Sequence, residues 1–210
     1  MRALFLSTLL VFVIARPAAA QLRWVFIADG QVAVPVSGPD DLTQRYAPAG
    51  YGGGGGFGAI LSPRIMLVFT VNYTFLPIDQ AGVRNADGLP DDTTIDGGDI
   101  AIWYVSFGAR YNLSNNLVFH SKPYVIGGAG WYRGESTDIT ATSPTIGEQI
   151  GQGGYENVFG FDVGAGADIP ISPKVDAFVE VQYEAGLTSD VMTATIPFRA
   201  GLVFLLGQGD

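Results

Sequence analysis

The chain has 210 residues, 48% hydrophobic and only 15% charged, with 29 Gly, 12 Pro, no Cys and one His. An average soluble domain carries about 7% Gly and roughly a quarter charged residues, so this chain has about twice the usual glycine and too few charges for an ordinary solvated surface. The apolar and aromatic content excludes intrinsic disorder, and the missing cysteine excludes a disulfide scaffold, a thiolate zinc site and a lipid anchor on cysteine.

Residues 1–20 have the pattern of a cleaved secretory signal: Arg2 opens the segment, Ala3 to Ala15 is an apolar run, and Ala18-Ala19-Ala20 precedes Gln21. The run falls short of the roughly 20 apolar residues that cross a bilayer as a helix. Residues 21–210 are expected to form one domain. Without Arg2 and Arg16, nine basic side chains face 20 acidic ones, a net charge of −11. That is the wrong sign for a nucleic-acid binder, and no nucleic-acid partner is expected.

No stretch after residue 20 sustains apolar residues at helical spacing, whereas two-residue alternation recurs along it. In chain order the predicted strands cover 24–36, 51–61, 64–77, 99–112, 118–132, 159–170, 175–187 and 191–205. The second is carried only by Tyr51, Phe57, Ala59 and Leu61 among glycines. The seventh alternates sharply, with Val175, Ala177, Val179, Val181, Tyr183, Ala185 and Leu187 opposite Asp176, Phe178, Glu180, Gln182, Glu184 and Gly186. In the eighth, Pro197 cannot donate to a ladder, which predicts a bulge there. Tight turns at Ser62-Pro63-Arg64, Leu113 to Asn116 and Ser172-Pro173-Lys174 alternate with longer connections at 37–50, 79–98 and 133–154. This is the rhythm of an up-and-down membrane barrel, with both termini on the short-turn side.

The polar strand faces are poor in Lys and Glu and rich in Gly, Thr and Asn, while the apolar faces carry the aromatics. That suits a barrel with lipid outside and a small polar lumen inside. The expected fold is therefore an all-β, eight-stranded antiparallel up-and-down transmembrane β-barrel. Trp24, Trp103 and Trp131 fall near predicted strand ends, where interfacial girdles form, and Tyr183 and Phe204 join them.

Pro123-Tyr124-Val125-Ile126-Gly127-Gly128-Ala129-Gly130, the segments Phe159 to Gly166 and Ile196 to Phe204, the Ser-Pro-Lys turn and Phe178-Val179-Glu180 together carry a likeness. On these residues the chain resembles the outer membrane protein β-barrel domain family, small barrels of the OmpA and OmpX type. The resemblance implies a bacterial outer-membrane location, outer-membrane lipid and lipopolysaccharide as surroundings, and delivery by periplasmic chaperones and the barrel assembly machinery. The last strand is similar to the assembly signal of such proteins, with its aromatic, Phe204, followed by Leu205 to Asp210 rather than ending the chain.

Asp162, Asp168, Asp176, Glu180, Gln182 and Glu184 are expected on the lumen face, with Arg64, Arg110, Lys122 and Arg199 available to pair with them. Arg199 lies beside Glu180 and Glu184 because the last two strands are neighbours. An eight-stranded barrel is just wide enough for side chains to fill, and charges held there must pair. Two readings stay open: a plugged structural or surface-interaction barrel, monomeric, or a narrow cation-preferring, porin-like channel or small-solute transporter. Gly128, Gly130, Gly160, Gly164 and Gly166 keep the second open by leaving space.

A lipid-modifying enzyme is a third reading, with His120-Ser121 the only His beside a hydroxyl. Adjacent strand residues point to opposite faces, so neither catalysis nor a cofactor is expected. Gly53-x-Gly55-x-x-Gly58 matches a dinucleotide fingerprint trivially and lacks the βαβ context. Asp87, Asp91, Asp92 and Asp96, in the loop that begins at Asp79, are candidate ligands for Ca²⁺, which could bridge the loop to lipopolysaccharide.

Overall fold

The computed structural model describes residues 22–37, 49–114, 120–145, 147–187 and 192–207; the signal segment expected at 1–20 lies outside them. Eleven strands are present among the described residues. They are β1 (Arg23–Ser37), β2 (Gly50–Ile60), β3 (Ile65–Leu76), β4 (Thr94–Gly97), β5 (Ile100–Asn112), β6 (Lys122–Ser136), β7 (Ile139–Ser143), β8 (Gly147–Gly151), β9 (Gly154–Ser172), β10 (Val175–Gly186) and β11 (Thr193–Leu206). Eight of them close a barrel in the order β1-β11-β10-β9-β6-β5-β3-β2, each paired antiparallel to its neighbours. Closure runs from Trp24 opposite Leu206 to Ser37 opposite Ala194, so no barrel strand is left with an open edge.

Alternation decides which side chains enter the lumen. In β1, Val25, Ile27 and Gln31 are buried while Trp24, Phe26 and Val32 face out; β10 buries Phe178, Glu180, Gln182 and Glu184 and exposes Val179 and Val181. Phe107 is 59% exposed and Phe198 55%, whereas Arg199 is 5% and Glu184 2% exposed. A water-soluble barrel would invert that order. On the outer face the register aligns Phe204, Phe26, Phe57, Phe69 and Phe107 across five consecutive strands. Cross-strand aromatic pairs of this kind contribute roughly 0.2–1 kcal/mol each and help fix register.

The predicted strands sit within a few residues of the observed ones, with three departures. The loop at 79–98 contains a helix, α1 (Gln80–Asp87), opened by Asp79 accepting from the Ala81 backbone N–H and closed by Gly88 in the left-handed region. β4, β7 and β8 form a separate three-stranded sheet over the long-loop end, with Val83 and Ile95 buried. These segments are too short to show a period. β6 and β9 also run on to Ser136 and back to Gly154; Glu135, Tyr155 and Glu156 replace the apolar alternation there because that stretch stands above the apolar belt.

Pro197 is accommodated without the expected bulge. It stays in register opposite Ala33, while the β10 ladder lapses between Val181–Phe198 and Glu184–Thr195 and resumes unshifted. The irregularity lies instead at Pro35 and Ser37 on β1.

Candidate functional site

The lumen is filled by two apolar clusters and a network of buried charges. Nearest the short turns, Val25, Ile27, Met66, Val68, Tyr124, Ile126, Phe178 and Val203 form an apolar cluster; toward the long loops, Leu76, Ile102, Tyr104 and Tyr132 form a second. The network of buried charges fills the middle and, through Arg110 and Asp168, reaches down among the first cluster to the short-turn mouth.

Arg110 donates through Nη1 to Asp168 at 3.0 and 3.3 Å and stacks on the Tyr124 ring 3.5 Å from its centre. Tyr124 donates to Glu180 at 2.9 Å, Gln182 donates to the other oxygen of that carboxylate at 2.8 Å, and Arg110 Nη2 lies 3.7 Å from it. Arg199 lies 3.6 Å from Glu180, donates through Nη2 to Glu184 and through Nε to Gln31 at 3.0 Å. Gln31 passes the chain on to Thr74 at 2.7 Å. Glu180 therefore joins two arginines brought in from β5 and β11. Asp162 is held separately, by Tyr104 donating at 2.9 Å. Charge-assisted bonds of this kind are the strong ones, and the low dielectric around them strengthens both attraction and the penalty for losing a partner.

Of the expected lumen residues, Arg110, Asp162, Asp168, Glu180, Gln182, Glu184 and Arg199 are buried together. Asp176 and Lys122 are not part of this network; they face each other at 3.9 Å at the short-turn mouth. Arg64 is excluded from the lumen: it sits in the exposed β2–β3 turn and donates to Tyr111 on the outer face. Tyr104, Tyr124 and Gln31 have no counterpart in the sequence reading, although Gln31 falls on the inward parity of β1. Their aromatic and amide chemistry is too common on strands to mark them.

The lumen glycines do not leave a passage. A Cβ at Gly166 would lie 2.4 Å from the Tyr124 hydroxyl, one at Gly164 2.6 Å from Gln182, one at Gly160 3.1 Å from Tyr104, and one at Gly128 2.7 Å from Asp162. A Cβ at Gly130 would meet the Val105 carbonyl at 1.9 Å. Each glycine is the space into which a neighbouring group folds.

Trp24 stands at the short-turn end opposite Leu206, with Phe204 two residues before that partner and 6.2 Å from Phe26. Trp103 packs 4.8 Å from Tyr73, Tyr183 lies 6.2 Å from Phe161, and Trp131 is opposite Phe159, inside β6 rather than at its end. His120 is in left-handed backbone (φ 63°) in the turn before β6.

The acidic loop is dispersed. Asp79 caps α1, Asp92 accepts from Ser143 at 3.0 Å, and Asp96 accepts from Gly97 at 3.1 Å. Among the described residues no three acidic or imidazole side chains converge to hold a metal. Calcium added to the folded chain is therefore expected to leave the pattern of loop proteolysis unchanged; protection at micromolar Ca²⁺ would contradict this geometry.

An apolar exterior, a closed antiparallel barrel of eight strands and a packed polar interior define the class: an eight-stranded barrel of outer-membrane architecture. The chain matches no family model and no curated protein. Its similarity is to solved structures. Neisserial surface protein A aligns with a TM-score of 0.55 and 17% identity, covering 86% of this chain and 96% of that one. Ail, the attachment invasion locus protein of Yersinia pestis, aligns at 0.51 and 15%, covering 87% and 98%. The outer membrane protein OprG of Pseudomonas aeruginosa aligns at 0.52 and 9%, covering 89% and 97%. At these identities the shared property is the fold.

Proposed function

We propose that this chain is an integral outer-membrane barrel of a Gram-negative bacterium, with short turns toward the periplasm, whose lumen is sealed and whose role is structural or exerted by its outer loops. The observation that carries this reading is the filled lumen, since packed apolar side chains and a cross-linked charge network would both have to open before an ion could pass. Resemblance to a Neisserial surface protein and to an attachment invasion locus protein supports placing the role at the surface. The platform formed by α1 and the β4-β7-β8 sheet is where such a role would reside. Outer-membrane lipid and lipopolysaccharide are its expected surroundings, a monomer its expected state, and the assembly machinery its route of insertion.

Planar-bilayer recording tests the reading. The refolded chain should be silent at symmetric salt, with insertion verified by a heat-modifiable gel shift, and Arg199→Ala should stay silent because the Val25–Met66–Phe178–Val203 layer still closes the path. A steady cation-selective current that grows in Arg199→Ala would replace this reading with a gated pore.

A further inference from the structure

We infer that the short-turn mouth of the barrel is a binding site for a small anionic amphiphile, an anionic head joined to a short apolar body. A cavity of about 460 Å³ opens there, within the size range of small-molecule sites. Its floor is the lower surface of the apolar layer, where Val25, Met66 and Val203 line it. A floor of this kind presents apolar surface that a ligand's hydrocarbon would cover.

The rim supplies the sign. Arg23, Lys122 and Lys174 line the same cavity. Lys122 is matched by Asp176 at 3.9 Å and the deeper Arg110 by Asp168 at 3.0 Å. Arg23 and Lys174 meet no carboxylate among the described residues, so the mouth holds two positive charges beyond its pairs. Arg110 also lines the cavity with its Nε buried and without a hydrogen-bond partner. The opposite end of the molecule is acidic, with Asp79, Asp87, Asp91, Asp92 and Asp96 against Arg84 along α1 and β4; the excess of cations is thus local to the cavity. An apolar floor alone would accept any hydrocarbon, and unpaired cations above it select a carboxylate or phosphate head. The site rests on this cavity and not on the proposed orientation, which sets only the compartment it faces.

Methionine methyl resonances report on it directly, because Met66 lines the cavity while Met192 lies at the opposite end, its carbonyl accepting from Ser37. The refolded chain, ¹³C-labelled at methionine methyls in zwitterionic lipid nanodiscs, would be titrated with octanoate, octan-1-ol and octylammonium. Octanoate is expected to shift Met66 saturably and leave Met192 in place, with the midpoint raised at least tenfold in Arg23→Gln/Lys174→Gln. Both residues are exposed; should the double variant not refold, Lys174→Gln alone is expected to raise the midpoint. A Met66 signal that never moves overturns the proposal. So does an equal response to octan-1-ol, joint movement of Met66 and Met192, or a variant that titrates like the parent.

Discussion

Replacing Arg199 with Met should destabilise the folded barrel by about 3–5 kcal/mol, the scale on which removing one member of a buried ion pair acts. Arg199 is 5% exposed, and its guanidinium serves Glu184, Glu180 and Gln31 together. Methionine fills much of the volume but leaves Glu184, itself 2% exposed, with a charge and no cation. Glu180 is less affected because Arg110, Tyr124 and Gln182 remain on it. Urea titration of the refolded protein in lipid vesicles, followed by the gel shift, measures the loss. Adding Glu184→Gln to Arg199→Met should recover more than 1 kcal/mol, since the uncompensated charge is the larger part of the cost, and the double-mutant cycle isolates the pair. A single-variant loss under 1 kcal/mol would mean that water screens the network, which is incompatible with a sealed lumen.

A second large effect is expected at Gly166, where Val should cost about 3 kcal/mol or more and lower the refolding yield sharply. Overpacking a filled core already costs roughly 1–3 kcal/mol where side chains can shift. Here they cannot: the new Cβ would meet the Tyr124 hydroxyl at 2.4 Å and the Val179 carbonyl at 2.6 Å. Tyr124 is pinned by its bond to Glu180 and by Arg110 stacked on its face, and the carbonyl belongs to the neighbouring strand. Gly154→Ala is the internal comparison, because a Cβ there meets nothing within 4 Å. It should change stability by no more than about 0.5 kcal/mol. Equal refolding of Gly166→Val and Gly154→Ala would show that the lumen has room the geometry denies.

Parts of the lumen network were legible because they depend on short-range connectivity. β10 and β11 are consecutive in the chain, so parity alone sets Arg199 against Glu180 and Glu184 across one hairpin. Arg110 reaching Asp168 spans 58 residues, and no local pattern marks that partner among the inward acids. Parity does not extend through a turn, so it misplaces Arg64, which lies on the outer face. The lumen glycines suggest space because a sequence records that a side chain is missing and not which neighbour occupies the gap. The same limit hid the α1 and β4-β7-β8 platform, whose segments are shorter than the period needed to recognise them.

Alternation, turn residues and the scarcity of charge were sufficient for the barrel, its strand number and which face is apolar, because each is a local demand that a strand in lipid must meet residue by residue. The closing β1–β11 register, the folding of Tyr124, Gln182 and Tyr104 into glycine gaps, and the clustering of unpaired cations over an apolar floor follow from the arrangement of strands distant in the chain. Those contacts form only once the sheet has closed on itself, and closure is a long-range property that no stretch of residues carries alone.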